Sequence, residues 1–208
     1  MNTKKTTVMI VDDHAILRSG LKSLLGAQPD IEVAADTSSG AAAVQMALKL
    51  RPDVILMDLM MPDLDGTETM RRIRAKWPAA KVLVLTSFGL SNEIARAFEA
   101  GAAGAVLKTA DFPDILDAIR SVAAGRKWVA TEIETLLEND PPSPRLTKRQ
   151  LEILASITRG LTNADIAVEL GISAPMVNEH LNAIFTKLGA ANRTEAVGIA
   201  LRKHLLRF

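Results

Sequence analysis

Short apolar runs alternate with segments of helical period over the first 124 residues. Val8–Val11, Ile31–Ala35, Val54–Met57, Lys81–Thr86 and Ala105–Leu107 are short, rich in Val, Ile and Leu, and end on polar or turn residues. Runs of that length and composition predict buried strands. Between them, apolar positions recur at helical spacing in Ala15–Leu25, Gly40–Leu50, Thr67–Lys76, Asn92–Ala100 and Phe112–Ala124. Strand and helix alternating in this way predict an α/β domain, a five-stranded parallel sheet with helices on both faces. Functional groups of such sheets collect beyond the carboxyl ends of the strands.

The pattern changes after residue 128. Thr131 and Glu134 have the spacing of a capping box at the start of a short helix. Asn139-Asp140-Pro141-Pro142-Ser143-Pro144 then breaks helix and strand alike and predicts an extended, semi-stiff linker. Beyond it the period is helical throughout, with helices over Lys148–Thr158, Ala164–Leu170, Ala174–Leu188 and Thr194–Leu206. Thr147 with Gln150 predicts a capping box, and Ser173 an N-cap with Pro175 in the first turn. The predicted organisation is a first domain over residues 1–128, a linker with a short helix over 129–145, and an all-α four-helix domain over 146–208.

Charge sharpens that division. The chain has a formal net charge of only +1, yet residues 146–208 hold 8 Lys/Arg against 5 Asp/Glu, and residues 1–145 hold 17 against 19. A basic final domain fits a nucleic-acid partner. The absence of cysteine excludes disulfides, thiolate catalysis and Cys-based zinc sites. Met1–Thr7 is polar, and the apolar run after it is shorter than the roughly 7–15 residues of a signal-peptide core. With no apolar stretch near the ~18 residues of a membrane span, a cytoplasmic protein without membrane attachment is expected.

The strand ends carry the chemistry. Asp12 and Asp13 follow the first strand, Asp58 the third, Thr86 closes the fourth and Lys108 follows the fifth. Parallel strands bring these groups to one edge of the sheet. Two like charges about 4 Å apart repel by about 4 kcal/mol at an effective dielectric of about 20. Three carboxylates together therefore raise one another's pKa or require a cation. An all-oxygen site with few protein ligands suits Mg²⁺, which keeps waters and recruits phosphate oxygens. A carboxylate beside such an ion can attack a phosphoryl group to give an acyl phosphate, with an ammonium and a hydroxyl to bind the other oxygens. One Asp at a strand end is ordinarily a turn former; acids, hydroxyl and lysine at four strand ends point to a site. His14 reads as a helix-start residue.

Asp63-Leu64-Asp65-Gly66-Thr67 also matches the Asp-x-Asp-Gly-Thr box of haloacid-dehalogenase-type phosphatases, with Asp63 as nucleophile. That box needs its first Asp directly after a buried strand, whereas here Pro62 precedes it and the strand ends at Asp58. A loop leading into a helix is the expected structure.

Val11-Asp12-Asp13-His14, Met57-Asp58-Leu59-Met60-Met61-Pro62-Asp63-Leu64-Asp65-Gly66, Leu85-Thr86 and Leu107-Lys108 resemble the receiver domain of two-component response regulators. The resemblance implies a flavodoxin-like fold, with Asp58 as phosphoacceptor. It implies that Asp12 and Asp13, with Asp58 and the Met60 backbone oxygen, hold Mg²⁺. Thr86 and Lys108 would bind the phosphoryl group, which a sensor histidine kinase supplies. It also implies a regulator rather than an enzyme, with only self-phosphotransfer and autodephosphorylation chemistry. Two positions depart from the pattern. Ala105 stands where receivers usually carry an aromatic or His switch residue, and Thr109 replaces a frequent proline. With no ring to swing, a modest activation is expected.

In the last domain, Leu146-Thr147, Gly160-Leu161-Thr162-Asn163, Leu170-Gly171-Ile172-Ser173, Lys187-Leu188-Gly189 and Asn192-Arg193-Thr194-Glu195-Ala196-Val197 resemble the effector domain of NarL/FixJ (LuxR-type) regulators. That implies a helix-turn-helix module whose third helix enters the major groove of double-stranded DNA. Val177, Leu181, Ile184, Phe185 and Leu188 form a buried stripe along this helix. Asn178, Glu179 and Asn182 lie off the stripe and are candidate base readers, with Lys187 and Arg193 as phosphate contacts. Asn178 and Asn182 stand where the family often has cations. The expected function is phosphorylation-dependent, DNA-binding control of transcription, with a homodimer formed on phosphorylation. Ala196, Val197, Ala200 and Leu201 of the last helix either supply a two-fold contact or pack against their own domain. The alternative is a phosphorelay or protein-interaction regulator whose helical domain does not bind DNA.

Overall fold

The computed structural model describes residues 5–87, 91–142, 146–203 and 205–206. It comprises two compact units, Met1–Asp140 and Pro141–Phe208. In the first, β1 (Thr6–Val11), β2 (Ile31–Thr37), β3 (Val54–Asp58), β4 (Val82–Thr86), β5 (Gly104–Leu107) and β6 (Trp128–Val129) form one parallel sheet in the order β2-β1-β3-β4-β5-β6. The crossovers are α1 (Ala15–Gly26), α2 (Gly40–Leu50), α3 (Gly66–Lys76), α4 (Ser91–Glu99) and α5 (Phe112–Ala123), and α6 (Thr131–Asn139) follows β6. The strand order reverses at β1 and β3, the position where an open α/β sheet leaves a crevice at its carboxyl edge.

The strands alternate with period two and so build two cores. Met9, Val11, Ile55, Met57, Val82 and Val84 face α2, α3 and α4, where Ala47, Met70, Ile73 and Ile94 meet them. Val8, Ile10, Val54, Leu56, Leu83 and Leu85 face α1 and α5, against Leu21, Leu25, Ile115 and Ile119. Both faces are buried, which is why the strands read as unbroken apolar runs. Each such side chain contributes about 1.5–3 kcal/mol on removal from water.

The first unit extends beyond residue 128, where the sequence places a linker. β6 adds a sixth strand through Trp128 N–H to the Ala103 carbonyl and Ala130 N–H to the Ala105 carbonyl, each 3.1 Å. α6 then lays Ile133 and Leu136 into the cluster that holds Ala105, Ile94 and Ala97. A two-residue strand shows no alternation, and nothing local tells that the apolar face of α6 has a partner. The expected Thr131–Glu134 capping box is absent. Ala130 is the N-cap, without a side-chain cap, and Thr131 is already helical. The hydrogen bond from Ala130 to β5 fixes where this helix starts.

The second unit contains α7 (Lys148–Thr158), α8 (Asn163–Leu170), α9 (Ala174–Leu188) and α10 (Arg193–Arg202). Ile153, Leu154, Ile166, Val177, Leu181, Ile184 and Ala196 form its core. The Thr147–Gln150 capping box is present, and Ser173 accepts from Met176 N–H. A second box, Thr162 with Asp165, starts α8 one residue before the predicted Ala164. Gly171 ends α8 in the left-handed region, at φ +64, which a side chain rarely adopts. Asn192 caps α10, which stops at Arg202 rather than Leu206. Among the described residues, no helix is long and apolar enough to cross a membrane.

Candidate functional site

The strand ends converge as the parallel topology requires. Asp12 follows β1, Asp58 closes β3, Thr86 closes β4 and Lys108 follows β5. Asp12, Asp58 and Thr86 are buried, and Asp13 stands partly open beside them. The Lys108 ammonium lies 2.8 Å from Asp12 Oδ2 and 2.7 Å from Asp58 Oδ2. It bridges the two buried carboxylates as an ion pair, though its direction is not that of an aligned hydrogen bond to either oxygen. The opposite oxygens are held by the backbone: His14 N–H donates to Asp12 Oδ1 at 2.7 Å, and Met60 N–H to Asp58 Oδ1 at 3.1 Å. Lys108 N–H donates to the Thr86 carbonyl at 2.8 Å, which ties the loop after β5 to the end of β4.

Burial raises the Asp58 carboxyl above its ordinary range, against the pull of Lys108 and the Met60 N–H. For Lys108, burial lowers the pKa, but the close approach of the Asp12 and Asp58 carboxylates outweighs it, and the net direction is up. Three carboxylates against one ammonium leave a formal excess of two negative charges. Asp12, Asp13 and Asp58, with His14, each place a ligand atom within 4.8 Å of the others. Buried, acid-rich and short of donors, the cluster fits a divalent cation. The Thr86 hydroxyl donates to the Ser87 carbonyl at 3.2 Å, a local bond it can exchange for another acceptor.

Gly66 seats this site. A Cβ there would fall 2.0 Å from the Asp58 carbonyl oxygen, so only glycine lets the start of α3 close on the end of β3. Asp63 lies outside the cluster, exposed, and does not follow a strand; the phosphatase-box alternative therefore lacks its geometry. Its carboxylate accepts from Ser39 Oγ at 2.6 Å and Gly40 N–H at 3.3 Å, at the start of α2. The Ser39 hydroxyl above all, then backbone N–H groups, lowers its pKa to about 2. A depressed acid lends stability above its unfolded value of 3.8 and loses it as pH falls through about 2. Asp63→Asn should therefore lower the thermal midpoint slightly near neutral pH, with the two proteins converging by about pH 2. The effect stays small because solvent screens an exposed group. A constant difference across a pH titration of the midpoint would contradict this.

Residues 8–120 match the family described as response regulator receiver domain, and residues 144–200 match the bacterial regulatory proteins of the luxR family. The chain is a LuxR-type response regulator. Transcriptional regulatory protein LiaR of Bacillus subtilis (strain 168) is 40% identical over 207 residues, covering 96% of this chain and 98% of LiaR. Response regulator protein VraR of Staphylococcus aureus (strain NCTC 8325 / PS 47) is 39% identical over 204 residues, with 96% and 98% covered. The crystal structure of response regulator ChrA of a heme-sensing two-component system superposes with a TM-score of 0.60 at 36% identity, covering 97% of this chain and 99% of that one. This response regulator thus joins a receiver to a helix-turn-helix DNA-binding domain. It acts as a two-component regulator of transcription, not as an enzyme.

The effector domain of the regulator arranges the candidate DNA residues unevenly. Asn178, Glu179 and Asn182 are exposed on α9, away from its buried Val177, Leu181, Ile184 and Leu188. Asn178 Oδ1 accepts from Asn163 Nδ2 at 2.6 Å, so α8 contributes a partner that sequence spacing did not single out. Lys187 and Arg193 turn inward rather than outward. Lys187 Nζ donates to Gln150 Oε1 at 2.9 Å. Arg193 donates to Asn163 Oδ1 at 3.3 Å and to the Leu161 carbonyl. Of the residues expected at a dimer contact, Ala196 and Ala200 are fully buried in the domain's own core, and Leu201 is half exposed.

Proposed function

We propose that this regulator acts in the cytoplasm, that it accepts a phosphoryl group on Asp58 from a phosphohistidine of a sensor histidine kinase, and that the phosphorylated form binds DNA as a homodimer. The observation that carries the reading is the buried Asp58 at the end of β3, with Oδ2 2.7 Å from Lys108 and two further acids alongside. An Asp58 oxygen attacks phosphorus, the P–N bond breaks, and its electron pair stays on the imidazole nitrogen, which takes up a proton. Mg²⁺ held by Asp12, Asp13, Asp58 and the Met60 backbone oxygen would neutralise charge on the transferring oxygens. Lys108 exchanges a carboxylate partner for a phosphoryl oxygen. Thr86 turns its hydroxyl from the Ser87 carbonyl to another.

On the DNA side, Asn178, Glu179 and Asn182 read base edges. An amide pairs bidentately with adenine, worth about 1–3 kcal/mol of discrimination. Because Asn163 already holds Asn178 Oδ1, the two asparagines present their amides as a unit. Selection of bound DNA from a random pool, at stated salt, tests the reading. Asn178→Ala should relax preference at one position of the selected site while leaving the salt dependence unchanged. Lys187 is tied to Gln150, so Lys187→Ala should change the salt slope by less than the roughly one unit of a free phosphate contact. An unchanged selected sequence for Asn178→Ala would contradict this placement, and failure to select any DNA would contradict the reading as a whole.

A further inference from the structure

His14 occupies a position its backbone role does not explain. It is the N-cap of α1, where Ser, Thr, Asp or Asn would accept a backbone hydrogen bond, yet its side chain caps nothing. The ring lies over the acid cluster instead. Nδ1 is 2.8 Å from Asp13 Oδ1, 3.3 Å from Asp12 Oδ1 and 3.9 Å from Asp58 Oδ2. Donor atoms bound to one ion at about 2.0–2.2 Å stand at most about 4.4 Å apart. Nδ1 is within that span of all three carboxylates. Two of these acids are buried, and Asp12 Oδ2, Asp13 Oδ1 and Asp58 Oδ2 receive no aligned hydrogen bond.

We infer that His14 Nδ1 is a fifth protein ligand of this site, beside the three carboxylates and the Met60 backbone oxygen, and makes it receptive to nitrogen-seeking divalent transition metals such as Ni²⁺, Co²⁺ and Zn²⁺. The inference rests on the divalent-cation site proposed above and adds to it. Carboxylates, carbonyls and water suit Mg²⁺, whereas imidazole favours the later first-row metals. Three carboxylates alone would discriminate less steeply among these equally charged ions. One imidazole beside them shifts the preference along the Irving–Williams order. A site filled by such an ion no longer offers Mg²⁺ the positions it needs, so the two classes of ion compete for one site. The Lys108 ammonium, 3.4 Å from Nδ1, is the group that must give way to such an ion.

The test is calorimetric titration of the full chain with Mg²⁺ and with Ni²⁺, at one pH, for wild type and His14→Ala. Outer-shell partners are worth about 10–100-fold in metal affinity, so a direct ligand sets a floor of about tenfold. The Ni²⁺-to-Mg²⁺ affinity ratio should fall by about tenfold or more in His14→Ala. It should persist in His180→Ala/His204→Ala, which removes the other imidazoles of the chain. His14 is largely exposed and caps no backbone group, so the variant is expected to fold. A smaller fall in the ratio overturns the inference, as does loss of the ratio in the double control. Absence of Mg²⁺ binding by the wild-type chain would instead overturn the underlying cation site.

Discussion

Asp58→Asn is expected to abolish the single phosphate adduct that wild-type protein forms with a small acyl phosphate and Mg²⁺, read by intact mass. Asp58 closes the central β3 strand, is buried, and has Lys108 at 2.7 Å to take over a phosphoryl oxygen. Among the described residues, no other acid has the same placement at the end of the central strand. Asp12 is held by His14 N–H and Lys108, and Asp13 lies at the open side of the cluster. Asp63 is committed to the start of α2 through Ser39 and Gly40. An amide at position 58 keeps the shape but is a poor nucleophile. EDTA should suppress the wild-type adduct as well, since one ammonium cannot offset three carboxylates and an incoming phosphate. An adduct at wild-type level in Asp58→Asn would remove the assignment.

Ile133→Ala is expected to destabilise the receiver by about 2–5 kcal/mol, the range for truncating a buried isoleucine. Typical domains are stable by about 5–15 kcal/mol, so the loss is a large fraction of the total. Ile133 is fully buried in the cluster with Ala105, Ile94 and Ala97. Its helix is tied at both ends: Ala130 N–H bonds to β5, and Ser91 Oγ donates to Asp140 Oδ2 at 2.6 Å, linking the start of α4 to the residue after α6. Urea unfolding measures the change, with exposed Glu134→Ala as control, expected within about 0.5 kcal/mol. A loss under about 1 kcal/mol for Ile133→Ala would show that α6 is a loosely docked linker rather than part of the receiver core.

The five main strands, their helices and the convergence of Asp12, Asp58, Thr86 and Lys108 were legible because each depends on local pattern plus one topological rule. A strand buried on both faces announces itself as an apolar run, and parallel pairing then assembles the ends. The missed features depend on partners distant in sequence. β6 exists because Ala103 and Ala105 offer carbonyls to Trp128 and Ala130. α6 belongs to the receiver because Ile133 and Leu136 meet α4 and β5. Lys187 and Arg193 look like free cations in a sequence, and only the fold brings Gln150, Asn163 and the Leu161 carbonyl to them. The Thr162–Asp165 box starts α8 at a spacing that is local and present in the sequence. His14 does stand at the start of α1, as its position in the sequence predicts; that its ring lies above the acids depends on the convergence of Asp12, Asp13 and Asp58.

Ala105 leaves no ring to carry a signal from Thr86, and the neighbouring core is filled by Ile133 and Leu136 of α6. Allosteric couplings typically span about 5- to 150-fold in affinity, and this receiver is expected near the low end. The decisive measurement is titration of a selected DNA site, at fixed salt, with wild type and Asp58→Asn, each with and without beryllofluoride and Mg²⁺. A gain of about 5-fold or more in wild type, within that coupling range and absent in Asp58→Asn, is the predicted result. No gain in wild type, or an equal gain in both proteins, would contradict phosphorylation-dependent DNA binding through Asp58.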